Sequence, residues 1–270
     1  MTIQESVNAV KNNLKGLVND FTVEVPEYYQ DYALLGEWLL SQACSDKTYT
    51  YDDSDYIWYN IAGYNIAAGE TDNTIRFVVN YYNTAAQETQ ARNFADTLAV
   101  TLELASLTKA NAIKAVYNWI AENCTYDDTF KTQVWYRPAE ETTNNVARNG
   151  LWDVFINKKA VCQGFSRAIY YMVNKFITPC RIIQGNEFYK YRLYHHCWNI
   201  CYLDGFWYSL CVTSAVHHYE EGNQQYDYWL LKNAADFNND VRTQFIPLTN
   251  YMRSAWVNKY PMTASSWSFD

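Results

Sequence analysis

The chain has 270 residues, of which 49% are apolar, and its formal net charge is −8. This length and apolar content are enough for one large domain, or for one domain with an N-terminal extension, and they exclude a disordered chain. The acidic balance argues against binding to nucleic acid or to an anionic membrane surface, because phosphate groups are bound by concentrated Lys and Arg.

The N-terminal patterns alternate between helix and strand. Apolar side chains at helical spacing predict an amphipathic helix over residues 3–18. Further helices are predicted over residues 28–43 and 87–104, and β-rich runs predict strands over residues 21–25, 56–66 and 74–82. We expect residues 1–105 to form an α/β lead-in region packed on a core formed by residues 106–270.

The middle of the chain combines a capped helix with a long polar segment. Residues 109–123 predict a helix, with Thr108 as its N-cap. Residues 125–149 are polar and irregular, and a loop of that length inside a compact domain is usually functional. The segment is predicted to flank a cleft, and a plain surface excursion is the alternative.

The C-terminal half predicts one helix and an antiparallel sheet. The helix covers residues 161–176 and carries Cys162 in its first turn. Strands are predicted over residues 180–184, 195–203, 206–213 and 226–231. Asp204-Gly205 separates two of them and is the strongest two-residue hairpin signal. The expected fold class is α+β, with the cysteine-bearing helix packed on the antiparallel sheet.

Cys162 is the candidate nucleophile. A thiol in the first turn of a helix faces unpaired backbone N–H groups and the positive end of the helix dipole, and both stabilise the thiolate. Lys158 and Lys159 lie just upstream and are expected to act in the same direction. The alternative is a buried structural cysteine, which is the usual environment of a single cysteine.

His196 is the candidate general base, because it opens a predicted strand that would face the helix of Cys162. In cysteine–histidine enzymes the imidazole takes the thiol proton and later donates it to the leaving amine. We therefore expect Cys162 Sγ and a ring nitrogen of His196 to lie within or near hydrogen-bond reach. The alternative is a strand histidine that is simply hydrogen-bonded in a core.

The hairpin register selects a residue that could orient His196. A two-residue turn at residues 204–205 places Trp198 opposite Cys211. Continuing the count places His196 opposite Thr213, so that the four side chains share one face. Cys211 is then diagonal to His196, where a cysteine–histidine enzyme uses Asp or Asn to fix the tautomer and stabilise the imidazolium.

Three motifs in this order resemble those of the transglutaminase-like superfamily. They are Ala160-Val161-Cys162-Gln163-Gly164-Phe165, His196-Cys197-Trp198-Asn199 and Asp204-Gly205-Phe206-Trp207-Tyr208. Upstream, Tyr117-Asn118-Trp119-Ile120 and Tyr126-Asp127 resemble segments that precede the core in bacterial members, so that the resemblance covers about residues 109–240. It implies a papain-like core with Cys162 and His196 as catalytic residues. Gln163 and Trp198 are candidate substrate-binding residues, and hairpin core is the alternative for Trp198.

The resemblance departs from the family pattern at one position. Members have Asp in the segment Trp-Tyr-x-x-Asp-x-Thr, and this chain has Cys211 there. A thiol accepts hydrogen bonds weakly and cannot stabilise an imidazolium as a carboxylate does. The resemblance implies acyl transfer or hydrolysis at peptide or protein amides, as in a protease, deamidase, cross-linking or cyclising enzyme. The alternative is a catalytically weakened module that binds peptide or cell-wall material.

No metal or cofactor is expected. Cys197, Cys211 and the doublets His195-His196 and His217-His218 are chemically suited to zinc. However, adjacent strand residues point to opposite faces, so that a doublet supplies one ligand at most. A zinc site and a purely structural protein are the weaker alternatives.

The seven cysteines are an odd number and form no CxxC pair, so they are expected to be reduced thiols. No stretch approaches the roughly 20 apolar residues of a membrane helix, so no membrane insertion is expected. The first residues lack the layout of a signal peptide. A cytoplasmic location is predicted, with secretion as the alternative if a leader has been removed.

Overall fold

The computed structural model describes residues 1–26, 31–45, 50–53, 55–130, 148–189, 192–223, 229–237, 243–247 and 260–269. Structural statements below refer to these residues.

A three-stranded antiparallel sheet organises the N-terminal part of the chain. Its strands are β1 (Asp20–Glu24), β2 (Ile61–Ala68) and β3 (Thr74–Tyr81), in the order β1-β3-β2. Two helices, α1 (Ile3–Lys15) and α2 (Tyr32–Ala43), pack beside it. The helices and the sheet share a core in which Val10, Leu39 and Phe77 are fully buried. The alternation of helix and strand predicted for this part is therefore confirmed.

Helix α3 (Asp55–Trp58) precedes β2 in the chain. Helices α4 (Ala85–Thr101), α5 (Lys109–Asn123) and α6 (Leu151–Phe155) follow β3. Helix α5 has the predicted bounds, and the hydroxyl of Thr108 accepts a hydrogen bond from Asn111 N at 3.4 Å. The prediction of Thr108 as an N-cap is confirmed, because this bond satisfies one of the orphan donors of the first turn.

The C-terminal half places one buried helix against an antiparallel sheet. Helix α7 (Cys162–Phe176) follows a short parallel pair of strands, β4 (Thr125–Tyr126) and β5 (Lys159–Ala160). The sheet has the order β8-β7-β6-β9, with β6 (Cys180–Tyr189), β7 (Arg192–Leu203), β8 (Phe206–Leu210) and β9 (Thr243–Pro247). Two more helices are α8 (Val212–Glu220) and α9 (Ala234–Phe237). The α+β prediction, with the cysteine-bearing helix on an antiparallel sheet, is confirmed.

The predicted turn joins β7 to β8. Asp204 and Gly205 have φ values of 47° and 93°. Positive φ at both central residues is the requirement of a type I′ turn, whose twist matches that of the flanking strands. Leu203 pairs with Phe206 and Asn199 with Leu210, which is the predicted register.

The prediction of a strand through residue 213 is wrong. Strand β8 ends at Leu210, Cys211 is the N-cap of α8, and Thr213 lies in the first turn of that helix. The chain leaves the hairpin because Cys211 N donates to Trp229 O at 3.0 Å. Thr213 therefore does not lie opposite His196 in a strand.

Other bounds also differ from the prediction. Residues 55–58 form α3 rather than the start of a strand, and β6 continues to Tyr189 because it pairs with β7 along its whole length. Helix α6 and strands β5 and β9 had no sequence prediction. Of the predicted strand at 226–231, residues 226–228 lie outside the described residues and 229–231 are not in a strand. Residues 28–30 and 131–147, within a predicted helix and the predicted loop, also lie outside the described residues.

A buried ion pair joins the N-terminal part to the sheet of the C-terminal half. Arg181 Nε and Nη2 donate to the two carboxylate oxygens of Asp55 at 2.8 and 2.5 Å. Ile182 N donates to the same carboxylate at 2.8 Å. These bonds hold α3 against β6, and β6 is the strand that pairs with β7. The division of the chain at residue 105 stays a prediction.

Replacing Asp55 by Ala should destabilise the fold. The change removes the carboxylate of a bidentate pair whose side chains are 12% and 10% exposed, and breaking a buried pair on one side costs about 3–5 kcal/mol. Urea unfolding measures the loss. Asp52→Ala is the matched control, because its pair with Lys15 is more exposed and worth about 0–1 kcal/mol. Equal effects of the two changes would contradict the role of Asp55.

Candidate active site

Cys162 is the first residue of helix α7. Val161 is the N-cap residue and offers no side-chain hydrogen bond, so the N–H groups of the first turn are directed to the end of the helix where the thiol lies. Gly164 lets the turn approach its surroundings, because a Cβ there would lie 2.8 Å from Arg148 O and 3.0 Å from Ala160 Cβ. Close packing at Gly164 therefore explains the glycine of the Cys-Gln-Gly motif. Cys162 itself is 2% exposed.

The surroundings of Cys162 favour its thiolate. Its pKa is held well below the usual thiol value by a hydrogen bond with the Cys197 thiol and by the hydrogen bond and charge of His196, while burial acts in the opposite direction. The main chain of Cys197 adds a further hydrogen bond. Cys197 shows the reverse shift, since its hydrogen bond with Cys162 and its burial raise its pKa. Of the two thiols, Cys162 is therefore the one that ionises.

The two upstream lysines do not provide this stabilisation. Lys158 Nζ lies over the rings of Trp119 and Phe94, at 4.0 and 4.1 Å from their centroids, and burial lowers its pKa to about 8. Lys159 Nζ lies 3.5 Å from the carboxylate of Asp127. Both cations are engaged elsewhere, and the expectation that they stabilise the Cys162 thiolate is not supported by their positions.

His196 lies on β7, close enough to Cys162 for each side chain to shift the pKa of the other. Nε2 lies 3.1 Å from Cys211 Sγ, and Nδ1 lies 3.5 Å from Glu187 Oε2. Burial opposes protonation of the imidazole, but the charges of Glu187 and Cys211 and the hydrogen bonds with both thiols raise its pKa well above the usual value. These two pKa shifts favour a protonated imidazole beside an ionised thiol.

Cys211 lies beside His196, on the face that the hairpin register indicates. Its Sγ also lies 3.2 Å from Ser214 Oγ, and its carbonyl accepts a hydrogen bond from Tyr117 Oη at 3.3 Å. Tyr117 belongs to the upstream Tyr-Asn-Trp motif, so that motif holds the junction between β8 and α8 in place. Cys211 is fully buried.

Glu187 is a site residue that the sequence patterns missed. The predicted strand stopped at residue 184, and Glu187 lies three residues further along β6. Gly185 is directly opposite His196 on the neighbouring strand, so Glu187 is the next residue along β6 on the same face. Extending the predicted strand beyond Gly185 would have placed Glu187 on the face of His196, because side chains alternate between the two faces of a strand.

Asn199, the last residue of the His-Cys-Trp-Asn motif, ties the helix to the sheet. Its Nδ2 donates to Ser166 O in α7 at 3.0 Å and to Arg181 O in β6 at 3.2 Å. The residue is fully buried. Since Asn199 is three residues from His196 and Ser166 is four residues from Cys162, these bonds hold the two candidate catalytic residues at a fixed separation.

Gln163 and Trp198 are both buried in the structure. Gln163 Nε2 donates to Tyr59 O at 2.9 Å, which binds the first turn of α7 to the segment before β2. Trp198 is 3% exposed and belongs to a cluster with Ile183 and Phe237. Their proposed contact with substrate stays a prediction.

The remaining histidines are not gathered around the site. His217 lies against Tyr126, with ring centroids 4.5 Å apart, and His218 lies against Trp229 at 4.8 Å. Among the described residues, no group of three or more His, Cys, Asp and Glu side chains is arranged to hold a metal ion. All seven cysteines lie in the described part of the chain and none forms a disulfide.

An ionised thiol at a helix N-terminus, hydrogen-bonded to a histidine on a neighbouring strand, is the arrangement of cysteine–histidine enzymes. Residues 96–211 match the model of the transglutaminase-like superfamily. This segment contains Cys162 and His196, and Cys211 is its last residue. The resemblance that the motifs indicated is thus confirmed over residues 96–211.

Three solved structures resemble the chain. A TGase is 16% identical, with 57% of this chain and 44% of its own chain covered and a TM-score of 0.39. A proposed cysteine protease from Cytophaga hutchinsonii is 14% identical, with coverages of 68% and 71% and a TM-score of 0.33. The periplasmic domain of TgpA from Pseudomonas aeruginosa is 16% identical, with coverages of 58% and 59% and a TM-score of 0.34. The chain thus spans less than half of the TGase chain.

No curated protein matches the sequence significantly. Within the described ranges, no helix combines the length and the apolar character needed to cross a membrane.

Cys162 should react with iodoacetamide faster than the other six cysteines at neutral pH. It is the thiol whose pKa is lowered, whereas burial raises the pKa of Cys44 and of Cys124 to about 12. Peptide mapping by mass spectrometry after short labelling measures the order of reaction. Cys162→Ser should remove the fast phase, and Cys44→Ser is the control that should retain it. Uniform labelling, or labelling led by Cys44 or Cys124, would show that Cys162 is not an activated thiol.

Cys211→Asp should increase the thiolate fraction of Cys162. The new carboxylate would meet His196 Nε2 by a charge-assisted hydrogen bond and would also stand at the N-cap of α8, where Asp is favoured. The alkylation rate of Cys162 measured against pH in both forms reports the change. Cys211→Ser is the matched control, because it alters the atom without adding charge. An unshifted profile in a folded Cys211→Asp protein would mean that position 211 does not act on the imidazole.

Proposed function

We propose that the protein is a thiol-dependent enzyme that transfers the acyl group of a peptide or protein amide. The observation that carries this proposal is the placement of Cys162 at the start of α7 beside His196 on β7, where the pKa of the thiol is lowered and the pKa of the imidazole is raised. Such a pair supplies a nucleophile and a proton donor at the same pH.

In the proposed reaction the Cys162 thiolate attacks the amide carbonyl carbon. His196 then gives its proton to the departing amine as the C–N bond breaks, which leaves a thioester on Cys162. For the second half, His196 takes a proton from the acceptor, which attacks the thioester carbonyl and displaces the thiolate. Water as acceptor gives hydrolysis of a peptide bond or deamidation, and an amine gives cross-linking or cyclisation.

The position of Cys162 also provides for the negative charge that develops on the carbonyl oxygen. Its own backbone N–H is in the first turn of α7, where N–H groups have no partner within the helix. Such a donor stabilises an oxyanion in a site from which water is excluded. We assign this N–H as one oxyanion donor.

A binding module for peptide or cell-wall material is the second candidate. The observation that favours it is Cys211, because a neutral thiol occupies the position from which a carboxylate would stabilise the imidazolium. In that case the chain would retain the fold and the contacts of the site without turnover.

The state of the cysteines bears on the compartment. Cys180 Sγ and Cys201 Sγ lie 3.5 Å apart on paired strands without being bonded, and the Cys197 thiol lies close enough to Cys162 to shift its pKa. Two neighbouring pairs of thiols remain reduced most easily where thiols are kept reduced. We therefore propose a reducing compartment, such as the cytoplasm.

Incubation with N-dimethylated casein and a biotinylated primary amine tests the proposed chemistry. Ammonia release, new amino termini and biotin incorporation report deamidation, proteolysis and amine transfer respectively. At least one should appear with the wild-type protein and vanish in Cys162→Ser and His196→Gln, while Cys44→Ser retains it. A thioester to Cys162, trapped at low pH and detected by mass, would identify the intermediate. If iodoacetamide modifies Cys162 rapidly but none of the three products forms, the binding module is favoured.

A further inference from the structure

The site described above lacks a negative charge at one of its expected positions. Cys211 Sγ is 3.1 Å from His196 Nε2, and a thiol there can fix the ring orientation but adds no formal charge. An imidazolium in a buried site needs a compensating anion, because burial alone disfavours the charged form. Among the groups that raise the pKa of His196 against its burial, the charge of Glu187 comes first, and the carboxylate lies beside the ring.

Glu187 is the carboxylate in that position. Its Oε2 lies 3.5 Å from His196 Nδ1, on the ring nitrogen opposite the one that faces Cys211. Its side chain is 17% exposed and that of His196 6% exposed, so that solvent screens their attraction only weakly. Gly185 is directly opposite His196 in the pairing of β6 with β7, so Glu187 is a diagonal neighbour of His196 on the same face.

We infer that Glu187 is the charged positioning residue of this site and stabilises the imidazolium of His196 in place of the Asp that Cys211 replaces. The two functions that one Asp serves in the family pattern are divided here between two residues. Cys211 orients the ring at Nε2, and Glu187 supplies the charge at the Nδ1 side. The inference deepens the proposed function and rests on it for the catalytic meaning of the pair.

The groups around the pair are consistent with this role. Cys162 from α7, Cys211 from the start of α8 and Glu187 from β6 are the ionisable side chains that act on His196. Burial and the charge of Cys162 raise the pKa of Glu187, whereas His196 lowers it. Tyr126, on β4, also faces this group, and its pKa is raised by burial and by the charges of Cys162 and Glu187. Glu187 is thus the carboxylate whose loss would leave the imidazolium with thiols alone.

Glu187→Gln removes the charge and retains the shape, so it is the variant that tests the inference. Two readouts are measured: the pH profile of Cys162 alkylation by iodoacetamide, and the His196 titration by histidine-selective ¹⁵N NMR. A carboxylate at this distance shifts a neighbouring pKa by about 1–3 units. We therefore expect the His196 pKa to fall and the Cys162 pKa to rise, with alkylation below pH 7 slowed about tenfold or more.

Two further variants guard against a merely structural effect. Asp20→Asn removes a carboxylate that pairs with Arg76 in the N-terminal sheet and should leave both readouts unchanged. Adding Cys211→Asp to Glu187→Gln returns a charge to the imidazole from its other side and should restore the His196 pKa. A stable fold with neither pKa moved in Glu187→Gln overturns the inference. If the NMR shift appears but no acyl product is ever formed by the wild type, the inference stands and the proposed function fails.

Discussion

The buried amide of Asn199 is the constraint on which the candidate site depends. Its Nδ2 donates to a main-chain carbonyl of α7 and to one of β6 at once. A helix and a sheet packed only through apolar side chains can slide by fractions of a side chain, whereas two directional bonds fix both distance and rotation. The thiol belongs to α7 and the imidazole to β7, which pairs with β6, so these bonds also fix the position of the thiol relative to the imidazole. Asp55 supports this arrangement indirectly, because its bonds to Arg181 and Ile182 hold β6 in the position where Asn199 bonds to it.

Burial makes the electrostatics of this site selective. The low dielectric of the interior penalises an isolated thiolate and an isolated imidazolium, so that each ion is stable only with the other present. Cys180, which is buried beside Cys201, shows the opposite result: burial and the neighbouring thiol raise its pKa. The thiols of Cys162 and Cys180 therefore differ in chemistry, because a histidine acts on Cys162.

Much of the site could be predicted because it is encoded in short motifs that are contiguous in sequence. Cys162 was placed by its helix start, and the face of Cys211 by a hairpin whose turn, Asp204-Gly205, leaves one register. Glu187 was missed because Gly185-Asn186 favours a turn by composition. The continuation of β6 depends on its pairing with β7, which lies further along the chain. The start of α8 escaped for a similar reason: Val212 and Thr213 favour strands by composition, and the bond from Cys211 to Trp229 decides otherwise. The side-chain directions of Lys158 and Lys159 could not be predicted either, because their partners lie far away in the sequence.

The burial of Cys162 has a kinetic consequence. With 2% of the residue exposed, a reagent or substrate meets the sulfur only after the surrounding chain opens. When closing is faster than reaction, the observed rate is the product of the opening equilibrium and the intrinsic reactivity, and it rises linearly with reagent concentration. When reaction outpaces closing, the rate reaches a plateau equal to the opening rate, which no longer depends on the ionisation of the thiol. The plateau thus measures the rate of opening, and the slope contains the nucleophilicity of the thiol. A peptide substrate long enough to stabilise the open form would raise the slope by shifting the opening equilibrium, with no change in nucleophilicity.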